Sequence, residues 1–190
     1  DIDAAVAGAL ISKYRNSGQT FVCTNRILVH ESIHDVFVEK LVAATRELKL
    51  GDGREEGVQQ GPLVNEGAVQ DVARLVEQST AAGAVVALGG QRADLGPCYY
   101  QPTVLTGVTP DMAVFRNEIF GPVAPVTTFR DEAEAVALAN DTEFGLASYF
   151  YTRDIGRVWR VAEALDYGMV GVNEGIISNE MAPFGGVKAS

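Results

Sequence analysis

Arg15, Cys23, Glu118 and Ser178 are the side chains of this 190-residue chain whose types and settings could do chemistry. The stretch Arg15–Arg26, RNSGQTFVCTNR, crowds Ser17, Gln19, Thr20, Thr24 and Asn25 around a Phe-Val-Cys core. Gly18 within it can take backbone angles closed to other residues. So much polarity between a helical pattern and a strand-like run suits a built site better than a plain turn. An arginine near a helix end is commonly a solvated cation favoured by the helix dipole. Its guanidinium fork can also take a carboxylate through two hydrogen bonds. Phe21 reads structurally as a core aromatic. Cys23, two residues on, points the same way in an extended segment but ~6–7 Å along, and its bland reading is a small apolar residue. In NEIFGP, residues 117–122, Glu118 precedes a Gly-Pro turn. An acidic residue there is commonly a turn former, yet a carboxylate also accepts two hydrogen bonds from a diol. Ser178 sits in the closing block GVNEGIISNEMAPFGGVKAS as a loop polar group. His30 and His34 have neither a third ligand nor a carboxylate partner in the pattern, so no metal site is expected.

The elements that must position these groups follow from periodicity. A helix is expected over Ile2–Tyr14, with Ile2, Val6, Ala9, Leu10 and Tyr14 on one stripe, and a strand over Ile27–His30. Ser32, with Asp35 three residues on, predicts an acidic variant of the capping box. The helix from Ile33 should bury Ile33, Val36, Phe37, Leu41, Ala44 and Leu48, with Gly51 as its stop. Asn65 caps a helix through about Ala82. Strands are expected at Ala84–Leu88, Tyr100–Val108, Pro122–Phe129, Ala147–Thr152 and Met169–Val172. Asp131 and Asp154 cap two more helices, the second with Ile155, Val158, Trp159, Ala162 and Leu165 inward. Strands alternating with helices imply an α/β fold: three layers, a mostly parallel sheet and helices on both faces.

Composition narrows the class. Hydrophobic residues at 47% and charged residues at 21% suit a globular domain. A net charge of −10 disfavours nucleic-acid backbones and anionic membrane surfaces as partners. No apolar run approaches the ~20 residues of a membrane span, and Asp1-Ile-Asp does not open a signal peptide. Two cysteines make no disulfide framework, so a cytoplasmic setting is expected. No G-x-G-x-x-G follows a strand, so the dinucleotide fingerprint is absent.

RNSGQTFVCTNR resembles the nucleophile segment R-N-x-G-Q-x-C-x-C-x-N-R of the aldehyde dehydrogenase superfamily, in the form found in succinate-semialdehyde dehydrogenases. NEIFGP is similar to the family's E-x-F-G-P motif, NDTEFGLA (residues 140–147) to N-x-T-x-Y-G-L-A, and PFGG (residues 183–186) to its substrate-tunnel loop. The resemblance covers essentially the whole chain, as the family's catalytic domain, and places Phe21 where the family has its catalytic cysteine. Cys23 matches a second, non-nucleophilic cysteine. Arg15 and Ser178 match the residues that hold a distal substrate carboxylate, and Phe184 a lining residue of the tunnel. Glu118 matches the acid that binds the nicotinamide ribose, with Phe120 packed beside the cofactor. The implied reaction is NAD- or NADP-dependent oxidation of succinic semialdehyde to succinate through a cysteine thioester. The nucleotide-binding domain, the general base and the oxyanion-hole asparagine would lie outside these residues, and the parent would be a homo-oligomer. With Phe21 at the nucleophile's place the chain is expected to be inactive alone and to hold no cofactor tightly. A non-catalytic binding or scaffold module with the same fold is the alternative.

Overall fold

In the computed structural model, which describes residues 1–190, six α-helices alternate with eight strands. The helix starts obey one chemical rule. Asp1, Asn65, Asp131 and Asp154 each accept a hydrogen bond from the backbone N–H three residues on, at 2.8–3.1 Å. They open α1 (Ile2–Tyr14), α3 (Glu66–Ala81), α5 (Glu132–Asn140) and α6 (Ile155–Ala164). Each side chain satisfies an amide that the helix itself cannot.

The expected Ser32 cap is a correction. His30 Nδ1 accepts the Ser32 N–H at 3.1 Å and lies 2.8 Å from the Ser32 hydroxyl. The imidazole thereby captures the would-be cap and winds Glu31–Ile33 into a 3-10 turn, so α2 begins only at His34. That helix runs His34–Arg46 and buries Phe37, Leu41 and Thr45, while Ile33 and Val36 stay exposed. Gly51 does not stop it. The Gly51 N–H donates to the Gln60 carbonyl at 3.0 Å and closes the following loop.

Four strands form the main sheet in the order β1 (Ile27–His30), β4 (Val123–Phe129), β3 (Thr103–Thr106) and β2 (Val85–Leu88). The β1–β4 and β3–β4 pairs are parallel, and β2 adds an antiparallel edge. Alternation sorts the side chains onto two faces. Ile27, Val29, Val104, Ala124 and Val126 pack with α1 and α2. Leu28, Leu105 and Val123 pack on the opposite core, which α3 fills with Val69, Val72, Leu75 and Val76. This is the three-layer arrangement with helices on both faces. The Ala84–Leu88 run is only partly buried, through Ala84, Ala87 and Leu88. As the outer strand it leaves Val85 and Val86 exposed.

A second parallel pair, β6 (Ala147–Phe150) with β7 (Met169–Val172), is not hydrogen-bonded to the main sheet. Two short strands, β5 (Phe144–Gly145) and β8 (Val187–Lys188), pair antiparallel beside it. Here the predicted inward stripe of α6 is corrected: Ile155 is 72% and Trp159 66% exposed. Two strands are too narrow to cover the whole apolar stripe of that helix, so only its Val158, Val161, Ala162 and Leu165 side is partly buried. Trp159 is the sole tryptophan. Its fluorescence should peak like free tryptophan and be quenched freely by acrylamide in the folded chain. A blue-shifted, protected emission would contradict this placement.

Candidate active site

Three residues at positive φ, Asn16, Ser17 and Gly18, turn the chain out of α1. Left-handed backbone costs ~1–2 kcal/mol per non-glycine residue, and local hydrogen bonds offset it. Ser17 Oγ donates to the Gly61 carbonyl at 2.9 Å, and Asn16 Nδ2 to the Gln19 carbonyl at 3.0 Å. Gln19 donates to the Asn16 carbonyl at 3.1 Å and accepts the Val64 N–H at 2.9 Å. Glycine is required at 18 for a steric reason too. A Cβ there would lie 2.1 Å from the Gly121 carbonyl oxygen.

Asn25 locks the same two segments. Its Nδ2 donates to the Asn117 carbonyl at 2.8 Å, and its Oδ1 accepts the Ile119 N–H at 2.9 Å. The loop carrying Glu118 and Phe120 is thus fixed against the Arg15–Arg26 segment. Phe120 itself is held at φ +48°.

The structure sorts the sequence-predicted residues into two groups. Arg15 Nη1 donates to Ser178 Oγ at 3.1 Å, across 163 positions of sequence. Phe21, Cys23, Glu118 and Phe120 line one cavity of about 1110 Å³, whose wall includes neither Arg15, Ser178 nor Phe184. Phe21 is not a core aromatic: it is 73% exposed, with its ring 6.0 Å from that of Phe120 at 43°. Phe184 is exposed on the loop after Ser178. Cys23 Sγ lies 2.6 Å from Thr20 Oγ1 and donates to the Arg15 carbonyl at 3.6 Å. No cluster of His, Cys, Asp or Glu converges as a metal site, and no helix is long and apolar enough to cross a membrane.

Three neighbours were not singled out by the sequence. Arg26 donates to the carbonyls of Leu138, Ala139 and Asp141 and to the Tyr167 hydroxyl, and its guanidinium sits 4.9 Å from the Phe115 ring centroid. Tyr149 OH donates to the Val22 carbonyl at 2.9 Å, and burial pushes its phenol up to about 12. Lys13 is 1% exposed and lines the cavity. Burial pulls its ammonium down to about 8, opposed by the nearby Cys23 and Glu118. A lysine among Val6, Leu10 and Tyr14 on the buried stripe of α1 was the available signal.

Fold and site together define a three-layer α/β domain that brings a cation–hydroxyl pair and an acid–aromatic loop to one polar segment. Residues 1–190 match the Aldehyde dehydrogenase family, and the chain belongs to that family. It is 55% identical, over its whole length, to a mitochondrial succinate-semialdehyde dehydrogenase of Oryza sativa subsp. japonica, of which it covers 36%. It is 56% identical to a glutarate-semialdehyde dehydrogenase of Pseudomonas aeruginosa, covering 39%. A crystal structure of succinate-semialdehyde dehydrogenase from Burkholderia pseudomallei superposes with a TM-score of 0.98 at 61% identity, over 99% of this chain and 39% of that one. The chain therefore spans well under half the length of these relatives.

Two outcomes follow from the geometry. Gly18→Ala should destabilise the chain by more than about 2 kcal/mol, since both strained φ and a backbone collision oppose it. A Tm within about 2 °C of the parent chain would refute the collision. Lys13 sets a pH dependence. Its unfolded value is ~10.4, so both states are protonated below about pH 8 and the cost of the buried charge is borne in full. Between those values the unfolded state holds more protons and stability rises with pH, on the order of 3 kcal/mol. At higher pH, Tyr100 and Tyr149, both pushed up to about 12 by burial, reverse the slope because the unfolded phenols ionise first. Urea unfolding from about pH 7 to about pH 10 should show the rise, and Lys13→Met should abolish it while stabilising the chain at neutral pH.

Proposed function

We propose that this chain is the catalytic domain of an NAD- or NADP-dependent succinate-semialdehyde dehydrogenase, with the nucleotide-binding domain in the remainder of a longer protein. The observation that carries the reading is the Arg15–Ser178 pair. A guanidinium and a hydroxyl within hydrogen-bond reach of each other can share one carboxylate, and the fold alone brings them together. The names of the relatives favour the same chemistry: both succinic and glutaric semialdehyde carry a carboxylate at the end remote from the aldehyde.

On this reading Arg15 and Ser178 hold the inert end of the substrate and direct its aldehyde toward position 21. In the parent reaction a thiolate at that position adds to the aldehyde carbonyl, hydride leaves the former aldehyde carbon, and water releases the acid from the thioester. Phe21 has no thiolate, so the covalent step fails in this chain. The residues of the cofactor loop fit a nicotinamide nucleotide. The Glu118 carboxylate is exposed and could accept both hydroxyls of a ribose, and Phe120 is fixed beside it by the Asn25 clamp. A nicotinamide bound there would supply the hydride acceptor. The exposed Phe21 ring against Phe120 also favours a second reading, a module that binds semialdehydes without turnover.

The two readings separate in the longer protein. Phe21→Cys should give NAD(P)-linked oxidation of succinic semialdehyde, whereas carboxylate binding without turnover in that variant would favour the binding module. In the Phe21→Cys background, Arg15→Ala should raise KM for succinic semialdehyde ten- to a hundredfold, the loss of a charge-assisted contact of about 1.5–3 kcal/mol. Aldehydes lacking the carboxylate should change little. Equal losses on both substrate types would remove Arg15 from the carboxylate site.

A further inference from the structure

Phe21 is the one exposed residue between Ser17 and Asn25. Val22 beside it is buried, and its carbonyl accepts the Tyr149 hydroxyl at 2.9 Å. The Cys23 N–H donates to the Thr20 carbonyl at 3.0 Å and closes a turn around position 21. The turn is anchored on both sides, yet its tip carries an aromatic ring that is 73% exposed. Packing into a core does not account for that ring.

Its aromatic neighbour is Phe120, with ring centroids 6.0 Å apart and planes at 43°. Rings packed for their own sake settle parallel and offset, or edge to face. An angle of 43° is neither, so each ring keeps much of a face unspent. No cation of the chain covers them: the guanidinium and ammonium groups that sit over rings use Phe115 and Tyr167. Phe120 holds its place at φ +48°, a conformation that a bulky residue adopts only under constraint. The constraint is the Asn25 amide, bonded to Asn117 and Ile119 on the approach to Phe120. Strained backbone of this kind clusters at ligand clamps.

The chemistry of the pair selects its ligand. Electron-rich ring faces attract a cation, and flat faces suit a flat one. Glu118, exposed two residues before Phe120, lines the same cavity as both rings and adds a full negative charge. The combination disfavours an anion, so a substrate carboxylate belongs with Arg15 and Ser178, which do not line this cavity. It favours a planar aromatic cation bearing a diol. Of the two redox forms of a nicotinamide ribose, only the oxidised one has a positively charged aromatic ring. The reduced ring is neutral and has lost its aromaticity.

We propose that Phe21 is a binding residue for the oxidised nicotinamide ring: with Phe120 it forms an open aromatic face on which the pyridinium lies, so the protein holds the oxidised nucleotide in preference to the reduced one. The proposal rests on the nucleotide reading of the Glu118–Phe120 loop and adds the redox state that the loop selects.

The test is equilibrium binding to the longer protein with no aldehyde present. The probes are NAD+ against NADH and NADP+ against NADPH, titrated by calorimetry. The adenosine half is common to each redox pair and cancels in their ratio. Phe21→Leu removes the aromatic face but keeps an apolar side chain, at an exposed position where substitutions barely disturb the fold. It should raise Kd for the oxidised form about three- to tenfold, the size of a cation–π contact, and Kd for the reduced form by less than about twofold. Phe21→Tyr should keep the parent ratio. Equal losses in both forms would reduce Phe21 to apolar packing and overturn the proposal, as would unchanged or tighter oxidised binding in Phe21→Leu. Glu118→Gln separates this proposal from the reading beneath it. If that variant weakens both forms while Phe21→Leu changes neither, the nucleotide reading stands and the Phe21 assignment falls. If the parent protein binds no dinucleotide at all, both fall.

Discussion

The backbones at Gly18 and Gly121 approach so closely that no side chain fits between them. The geometry of the site depends on that contact. On one side the left-handed turn at residues 16–18 redirects the chain after α1 and sets where Arg15 begins. On the other, the loop of Glu118 and Phe120 leads into β4, the central strand that pairs with both β1 and β3. Neither glycine has a rotamer to relax, so the separation of the two loops is fixed by main-chain volume. Asn25 adds direction, because its amide spends one end as donor and the other as acceptor on the same loop. Net hydrogen bonds of ~0.5–1.5 kcal/mol each are the right size to hold left-handed backbone at Asn16, Ser17 and Phe120 against costs of ~1–2 kcal/mol.

Stability is unevenly distributed around that contact. The main sheet carries dry cores on both faces, with Leu41, Val69, Val104, Leu105 and Val126 fully buried. The β6–β7 side has none of these core residues, and α5 and α6 bury no residue completely. What ties it on is polar: the Arg26 guanidinium on three carbonyls and a phenol, the Tyr149 hydroxyl on Val22, and the Asp1–Arg153 ion pair. Few apolar contacts and bonds from side chains rather than a ladder place this half at the low end of local stability. The Arg15–Ser178 pair spans the two halves, so its geometry is only as firm as their junction.

What the sequence made legible was local. Asn65, Asp131 and Asp154 announced their helices because a short acceptor before an apolar-periodic run has one physical use. The strand over Ile27–His30 was legible as an apolar run next to the polar segment. Ser32 misled because the competing acceptor, the His30 ring, lies two residues away and its tautomer is not written in the pattern. Trp159 and Ile155 misled because a helical stripe tells which residues are apolar, not whether a partner is wide enough to cover them. Arg15 and Ser178 could be paired in advance only through the family resemblance, since nothing local links positions so far apart. Lys13 was readable in principle as a charge on a buried stripe, and Asn25 was not, because its partners lie 92 and 94 residues away.

Cys23 shows how these constraints bear on chemistry. A thiol two residues from the exposed Phe21 invites the role of substitute nucleophile. Its sulfur is already engaged on both sides, with Thr20 Oγ1 at 2.6 Å and the Arg15 carbonyl at 3.6 Å. Attack on an aldehyde would require the sulfur to leave both contacts, since reacting atoms must come within ~3–3.5 Å. Moving Cys23 toward a substrate aldehyde would also break its hold on the Arg15 carbonyl, at the base of the arginine proposed to position that substrate. The same bonds that hold the backbone at Arg15 therefore also hold the Cys23 sulfur in place.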